Sequence, residues 1–281
     1  MDVTQFLPIE ASEEMKQEKD GDYMQDGLLY CGTCHTPRQK RIRLPIGRGE
    51  EHTVWVLCKC EVQRQEQERK RKEYEEQMRR IDQMRTASMM PGKFQTVTFR
   101  NYEVRKENEK AFKISNKYVE RFREMEEKNQ GLLFYGPVGS GKSHTAACIA
   151  NALMEQEISV VMTSFVKILQ DIQTEKRDEG SYLAAMDAAR LLIIDDLGAE
   201  RDTDYALENV YNIIDSRVRA NKPMILTTNL KVAEMMMTTD IRYKRIYDRI
   251  FEVCYPVEVN GPSFRMRQAA ERQEAMKRLF E

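Results

Sequence analysis

Gly136-Pro137-Val138-Gly139-Ser140-Gly141-Lys142-Ser143 decides the reading of this chain. The octet fits G-x-x-x-x-G-K-[ST], the phosphate-binding P-loop. An apolar run, Gly131 to Tyr135, leads into it and predicts a buried strand, and behind it Ala146, Ala150, Leu153 and Met154 recur at helical spacing. A loop between a strand and a helix is the setting the motif needs. Its chemistry follows from the residue types. Gly136, Gly139 and Gly141, with Pro137, Val138 and Ser140 between them, let the backbone come close and turn its N–H groups toward phosphate oxygens. The helix that follows adds the positive end of its dipole. Lys142 is placed to reach β- and γ-phosphates, and Ser143 to ligate magnesium.

Working outward, Ile158 to Met162 predicts a second strand, and residues 164–174 and 181–190 predict helices. Leu191-Leu192-Ile193-Ile194-Asp195-Asp196 then reads as a buried parallel strand whose carboxyl end faces the nucleotide. Asp195 is expected in the magnesium shell and Asp196 to orient or activate the attacking water. A helix over 203–220 precedes Pro223 to Asn229, a strand ending in polar residues, with Asn229 placed to meet the γ-phosphate or the water. Arg242, Lys244, Arg245 and Arg249 crowd the next segment, where a guanidinium beside a γ-phosphate would stabilise transition-state charge. Val253 to Val259 predicts a last strand, and Gly261 to Arg265 a turn into a final helix. Strands alternating with helices imply a three-layer α/β domain with a parallel sheet.

On the other side of the loop, residues 107–127 predict a helix with Phe112, Val119 and Phe122 inward. Phe94, Val97, Phe99 and Tyr102 line the base side of a nucleotide pocket or simply pack an entry segment; both readings stand. Glu61 to Arg85 is dense in charge, with Glu66/Lys70, Glu68/Lys72, Glu75/Arg79 and Glu76/Arg80 spaced i, i+4 and a thin apolar stripe of Tyr74, Met78, Ile81 and Met84. This predicts a long exposed helix ended by Pro91-Gly92. Its Arg69-Lys70-Arg71-Lys72 run is a solvated face or a nucleic-acid contact.

Cys31-Gly32-Thr33-Cys34 and Cys58-Lys59-Cys60 are two close cysteine pairs 23 residues apart. Four thiolates can surround zinc tetrahedrally, and a segment this short needs a metal to supply the stability its core cannot. Val54, Trp55 and Val56 predict a strand, with Gly47 and Gly49 turning into it. His35 and His52 are alternative ligands, because C-x-C is tighter than C-x2-C. Four protein ligands would make the zinc structural. Residues 1–26 read as a flexible tail with one apolar cluster, Phe6, Leu7 and Ile9. The expected order is therefore tail 1–26, zinc module 27–62, charged helix 63–92 and ATPase domain 93–281.

The chain has 281 residues, 32% of them charged and 41% hydrophobic, with a formal net charge of -1. That excludes an argument from overall basicity for nucleic-acid binding. No apolar run approaches the length of a membrane span, and the N-terminus carries no secretory pattern. Six cysteines without a leader point to reduced thiols and a cytoplasmic setting. Cys148 and Cys254 read as buried apolar residues.

Residues 93–281 resemble the AAA+ ATPase domain of bacterial replicative-helicase loaders of the DnaC and DnaI type, and are similar also to transposase-helper ATPases of the IstB type. The resemblance is carried by GPVGSGKS at 136–143, LLIIDDLGAE at 191–200, ILTTNL at 225–230, YDRI at 247–250 and GPSFR at 261–265. It implies ATP and Mg2+ as ligands and ATP hydrolysis as the activity. Lys142 and Ser143 match the Walker A residues, Asp195 and Asp196 the Walker B pair, and Asn229 sensor 1. Arg249 matches the arginine finger acting on a neighbouring subunit, and Arg265 matches sensor 2. Many AAA+ enzymes have Glu where Asp196 stands, so modest turnover is expected. Sixteen residues follow Arg265, fewer than a full helical lid, as in the loader clade. The N-terminal cysteines and the domain order resemble DnaI-type loaders, whose zinc-containing domain binds the helicase. The implied partners are a hexameric replicative DNA helicase, single-stranded DNA and further copies of the chain, with no membrane. Two alternatives stay open: a transposase helper on duplex DNA, and a non-catalytic adaptor that holds ATP without turnover.

Overall fold

Short runs of apolar residues become parallel strands when both faces are covered, and five such runs form the sheet of this protein. The strands are β5 (Gly131–Tyr135), β6 (Val160–Ser164), β7 (Leu191–Leu197), β8 (Met224–Thr228) and β9 (Cys254–Glu258), in the order β6-β7-β8-β5-β9. All four pairings are parallel. The computed structural model describes residues 17–43, 51–173, 184, 186–200 and 202–280. The cluster Phe6, Leu7 and Ile9, the turn at Gly47 and Gly49, and positions 181–183 and 185 of the helix expected over 181–190 lie outside the described residues.

Alternation along the strands feeds two cores. Leu132, Phe134, Leu191, Ile193 and Ile225 face one layer with α2 (Glu109–Glu120), α3 (Phe122–Glu127) and α4 (Lys142–Met154). Leu133, Leu192, Ile194, Met224 and Leu226 face the other, with α5 (Phe165–Gln173), α6 (Asp204–Arg219), α7 (Val232–Met236) and α8 (Ile241–Val253). A last helix, α9, runs Phe264–Phe280. This is the expected three-layer α/β arrangement with a parallel sheet. Fully buried Arg217 on α6 ties the second layer together, donating to the carbonyls of Met186, Ala189, Arg190 and Pro223 at 2.8–3.4 Å. Cys148 and Cys254 are buried at 0% and 3% exposure.

Three expectations change in detail. The helix expected over 107–127 breaks at Arg121, and Phe112 is half-buried, packed edge-on against Phe99. Val253 ends α8 rather than opening β9. The charged helix α1 (Lys59–Ala87) stops before Pro91-Gly92, because Ser88 Oγ bonds back to the Arg85 carbonyl at 2.6 Å and Met89 takes φ 57°.

The chain divides into two compact units, Met1–Met78 and Arg79–Glu281, and α1 crosses the division. The face of α1 carries ion pairs Lys70–Glu66 at 2.9 Å and Arg71–Glu75 at 3.5 Å, so Glu75 pairs with Arg71 rather than Arg79. Ile81 is buried and Met84 packs on the first core, whereas Tyr74 stays 62% exposed. The first unit holds two antiparallel hairpins, β1 (Tyr23–Gln25) with β2 (Leu28–Tyr30) and β3 (Gln39–Arg43) with β4 (Glu51–Trp55). The first hairpin reaches into the stretch expected as a tail. Among the described residues no helix is long and apolar enough to cross a membrane.

Candidate functional site

The P-loop leaves β5 at Tyr135 and enters α4 at Lys142. Three of its residues need glycine's freedom: φ is 144° at Gly136, 81° at Gly139 and 102° at Gly141. At Gly136 a Cβ would stand 2.3 Å from the Val259 carbonyl oxygen, and at Gly139 2.1 Å from Ser263 Oγ. So the loop is pressed against the segment that opens α9. Lys142 Nζ donates to the carbonyls of Gly136 at 3.0 Å and Pro137 at 2.9 Å, and to Asn229 Oδ1 at 2.7 Å. Burial lowers its pKa, opposed by the carboxylates of Asp196 and Asp195. The Ser140 hydroxyl is buried without a hydrogen-bond partner.

The two acids sit on an irregularity of the β7–β8 ladder between Ile194 and Leu197. Asp196 takes φ 57°, a left-handed conformation that Asp tolerates better than most residues. Burial raises its carboxyl pKa, Asp195 raises it further, and Lys142, Arg265 and Lys93 oppose the rise. Asp195 Oδ1 accepts from Thr227 Oγ1 at 2.6 Å.

Val138, Gly139, Gly141, Lys142, Ser143, Asp196, Asn229 and Arg265 line a cleft of about 270 Å³, with Lys93, Phe94, His144 and Phe264. A second cleft of about 210 Å³ shares Gly141, His144 and Phe264 with it and adds Tyr102, Glu103, Asn108 and Arg267. The guanidiniums of Arg105 and Arg267 both stand over the Phe264 ring, 4.9 and 5.2 Å from its centroid. Glu103 takes both arms of Arg267. Tyr102 hydroxyl meets Thr145 Oγ1 at 2.8 Å, and burial holds His144 below its ordinary pKa, so its ring is neutral near pH 7. Phe94 reaches the first cleft and Tyr102 the second, whereas Val97 is core and Phe99 packs against it. Sequence reasoning did not single out Lys93, His144 or Phe264. His144 directly follows Ser143, and Phe264 lies inside the GPSFR run, so position was the available signal. Basic side chains over a glycine-lined cradle, with the Asp196 carboxylate in the lining and Asp195 beside it in sequence, fit a polyphosphate with a divalent cation.

Arg249 lines neither cleft. Its Nε lies 3.0 Å from Asp215 Oδ1 and its Nη1 2.8 Å from Glu252 Oε2. Arg242 is held by Asp240 at 2.7 Å and Asp204 at 2.8 Å.

In the first unit, Cys31 and Cys34 lie in the turn after β2, and Cys58 and Cys60 at the start of α1. Their four sulfurs lie within 4.8 Å of one another. Zinc at 2.3 Å from each of four thiolates would set them roughly 3.8 Å apart, so the donor set fits. Thr36 hydroxyl pulls Cys34 down to about 5, while the adjoining Cys58 and Cys31 push Cys60 up to about 12. A divalent cation among them would relieve that mutual repulsion. His35 is turned to Tyr23, with Nδ1 3.3 Å from its hydroxyl, and His52 sits opposite Ile42 in the β3–β4 ladder.

Residues 62–272 match the model of the IstB-like ATP-binding proteins. The chain belongs to that family. Among curated relatives, this IstB-like chain is 28% identical over 170 residues to the phage-like element PBSX protein XkdC of Bacillus subtilis, covering 57% of this chain and 62% of that protein. It is 29% identical over 161 residues to the replicative helicase loader DnaC of Escherichia coli, covering 56% and 63%. It is 24% identical over 143 residues to a putative ATP-binding protein in an insertion sequence of Mycobacterium tuberculosis, covering 50% and 57%. The chain spans less than two thirds of the length of each of these relatives. Crystal structures of DnaI (TM-score 0.54, 23% identity, 62% of this chain and 93% of that one) and of the DnaC helicase loader (0.52, 22%, 60% and 100%) share the fold. The AAA+ P-loop fold expected from the motifs is thus the fold observed.

Proposed function

We propose that this IstB-like protein is an ATP-dependent loader of the hexameric replicative helicase onto single-stranded DNA, acting in the cytoplasm during replication initiation or restart. The observation that carries this reading is the four-cysteine cluster in a unit of its own ahead of the ATPase core. A thiolate-held zinc there would stiffen a small docking module for the helicase. Bound MgATP supplies the γ-phosphate whose presence or loss is the signal.

The chain's own residues would read that signal. The P-loop N–H groups and Lys142 bind the phosphates, Lys142 exchanging the carbonyls of Gly136 and Pro137 for phosphate oxygens. Ser143 and Asp195 hold Mg2+. Asp196 orients the water and takes its proton, a role its raised pKa favours. Asn229 and Arg265 contact the γ-phosphate side. The second cleft, with Tyr102, His144 and Phe264, takes the base. Arg249 serves the site of a neighbouring copy, and to do so it must leave Asp215 and Glu252. Self-assembly therefore accompanies ATP binding, and turnover is modest.

The test is co-elution with the host replicative helicase on size exclusion, with and without ATP. Intact protein is expected to co-elute and a Cys31→Ser/Cys34→Ser variant to lose the complex. Helicase delivery by Lys142→Ala in the presence of ATP would overturn the switch. The insertion-sequence relative supports a second reading, a transposase helper; ATP-dependent filaments on duplex DNA without helicase co-elution would favour it.

A further inference from the structure

In a regular strand, adjacent side chains point to opposite faces, so Asp195 and Asp196 would diverge. The β7–β8 register departs from that regularity at these two residues. Ile194 is opposite Leu226 and Leu197 opposite Thr228, so Asp195 and Asp196 together face a single residue, Thr227. That is a β-bulge, the device that re-aims side chains beside sites. Asp196 turns through φ 57° and reaches the cleft lining.

Thr227 is fully buried and holds both halves of the bulge. Its Oγ1 accepts from the Asp196 backbone N–H at 2.9 Å and donates to Asp195 Oδ1 at 2.6 Å. One hydroxyl thus satisfies the amide of the left-handed residue and fixes a carboxylate oxygen of its neighbour. The next residue but one on the same strand path is Asn229, which meets Lys142 at 2.7 Å. Valine in place of Thr227 would keep the volume and lose both bonds. Serine would keep both.

We propose that Thr227 is a positioning residue for the nucleotide site, clasping the bulge so that Asp195 and Asp196 present their carboxylates together to Mg2+ and water. This rests on the reading of the cleft as a MgATP site. Groups that orient metal-binding carboxylates typically change metal affinity or activity by about 10–100-fold when removed.

The experiment titrates MgCl2 into full-length protein with a fluorescent N-methylanthraniloyl ATP, comparing wild type, Thr227→Val and Thr227→Ser. Melting temperature and amide exchange of the peptide covering β7 are followed alongside. The expected result is a Mg2+ midpoint raised about 10-fold or more in Thr227→Val, restored in Thr227→Ser, with faster exchange at the bulge and metal-free nucleotide affinity within about 3-fold of wild type. If Thr227→Val does not fold, Thr227→Cys, a weak donor and weak acceptor in the same place, makes the comparison. A wild-type-like Mg2+ midpoint in a folded variant overturns the clasp and leaves the site reading intact. A wild-type protein whose nucleotide binding ignores Mg2+ overturns the site reading, and the clasp with it.

Discussion

Gly139→Ala should cost nucleotide affinity for two separable reasons. The backbone there holds φ 81°, and a side chain in that region is strained by about 1–2 kcal/mol. The added Cβ would also stand 2.1 Å from Ser263 Oγ and 2.8 Å from Ser263 Cβ, where ordinary contact begins at 3.4 Å. Ser263 must then retreat by roughly 1 Å. Ser263 Oγ accepts from the Met266 amide at 3.3 Å, and the Phe264 amide donates to the Gly139 carbonyl at 3.1 Å, so that retreat drags the start of α9 and Arg265 with it. Because the loop can leave its cradle without unfolding the sheet, the strain should appear as lost affinity, about 5–30-fold from the backbone term alone. Ser263→Gly removes both clashing side-chain atoms, at a capping cost of a few tenths of a kcal/mol. The double variant Gly139→Ala/Ser263→Gly should therefore bind better than Gly139→Ala and worse than wild type. Fluorescent-nucleotide titrations of the four proteins form the cycle. A double variant no better than Gly139→Ala would refute the argument that Ser263 packs the loop.

Asp196→Asn should lower ATP turnover by roughly 10²-fold or more, the scale of a lost proton acceptor. Asp196's contribution to stability is fully present below its ordinary value of 3.8 and is lost as pH rises through its higher folded value. Asp196→Asn should accordingly melt above wild type near neutral pH, with the gap closing on acidification, as followed by thermal melts across pH. Arg217→Met deprives four carbonyls of a charged donor and should cost at least about 3 kcal/mol in a urea titration. An equal mixture of Lys142→Ala and Arg249→Ala chains, each inactive alone, should regain ATPase activity if Arg249 acts across an interface. Elemental analysis should find about one zinc per chain in intact protein and little in Cys31→Ser/Cys34→Ser.

Much of the core was legible because strand-length apolar runs bounded by glycine and charge have few alternatives. Gly131 to Tyr135 and Leu191 to Asp196 fall on β5 and β7 for this reason. The P-loop was legible because its chemistry demands fixed residue types at fixed spacing. What was not legible depends on contacts distant in sequence. The bulge at Asp196 is set by Thr227, 31 residues away, and two adjacent acids read simply as the end of a regular strand. The end of α1 is set by Ser88 bonding backwards, so Pro91 arrives after the helix has stopped. Lys93 and Phe264 belong to segments far apart in the chain, and only the fold brings them to one cleft. The i, i+4 pairs along α1 are degenerate, so Glu75 had two basic choices and spacing did not select between them.

The six cysteines divide by place: four gather their sulfurs in the first unit, and two are buried in the core of the second. Burial raises Cys148 to about 12 and pushes Cys254 higher still, so neither offers thiolate to an oxidant or an alkylating reagent at neutral pH. In the sulfur cluster the Thr36 hydroxyl pulls Cys34 down while its neighbours push Cys60 up, so the four sulfurs share their protons unequally. Oxidative stress would thus fall on one unit of this protein and spare the other. Peroxide strong enough to oxidise the sulfur cluster would strip the first unit of its thiolate donors and leave the two buried thiols of the second intact.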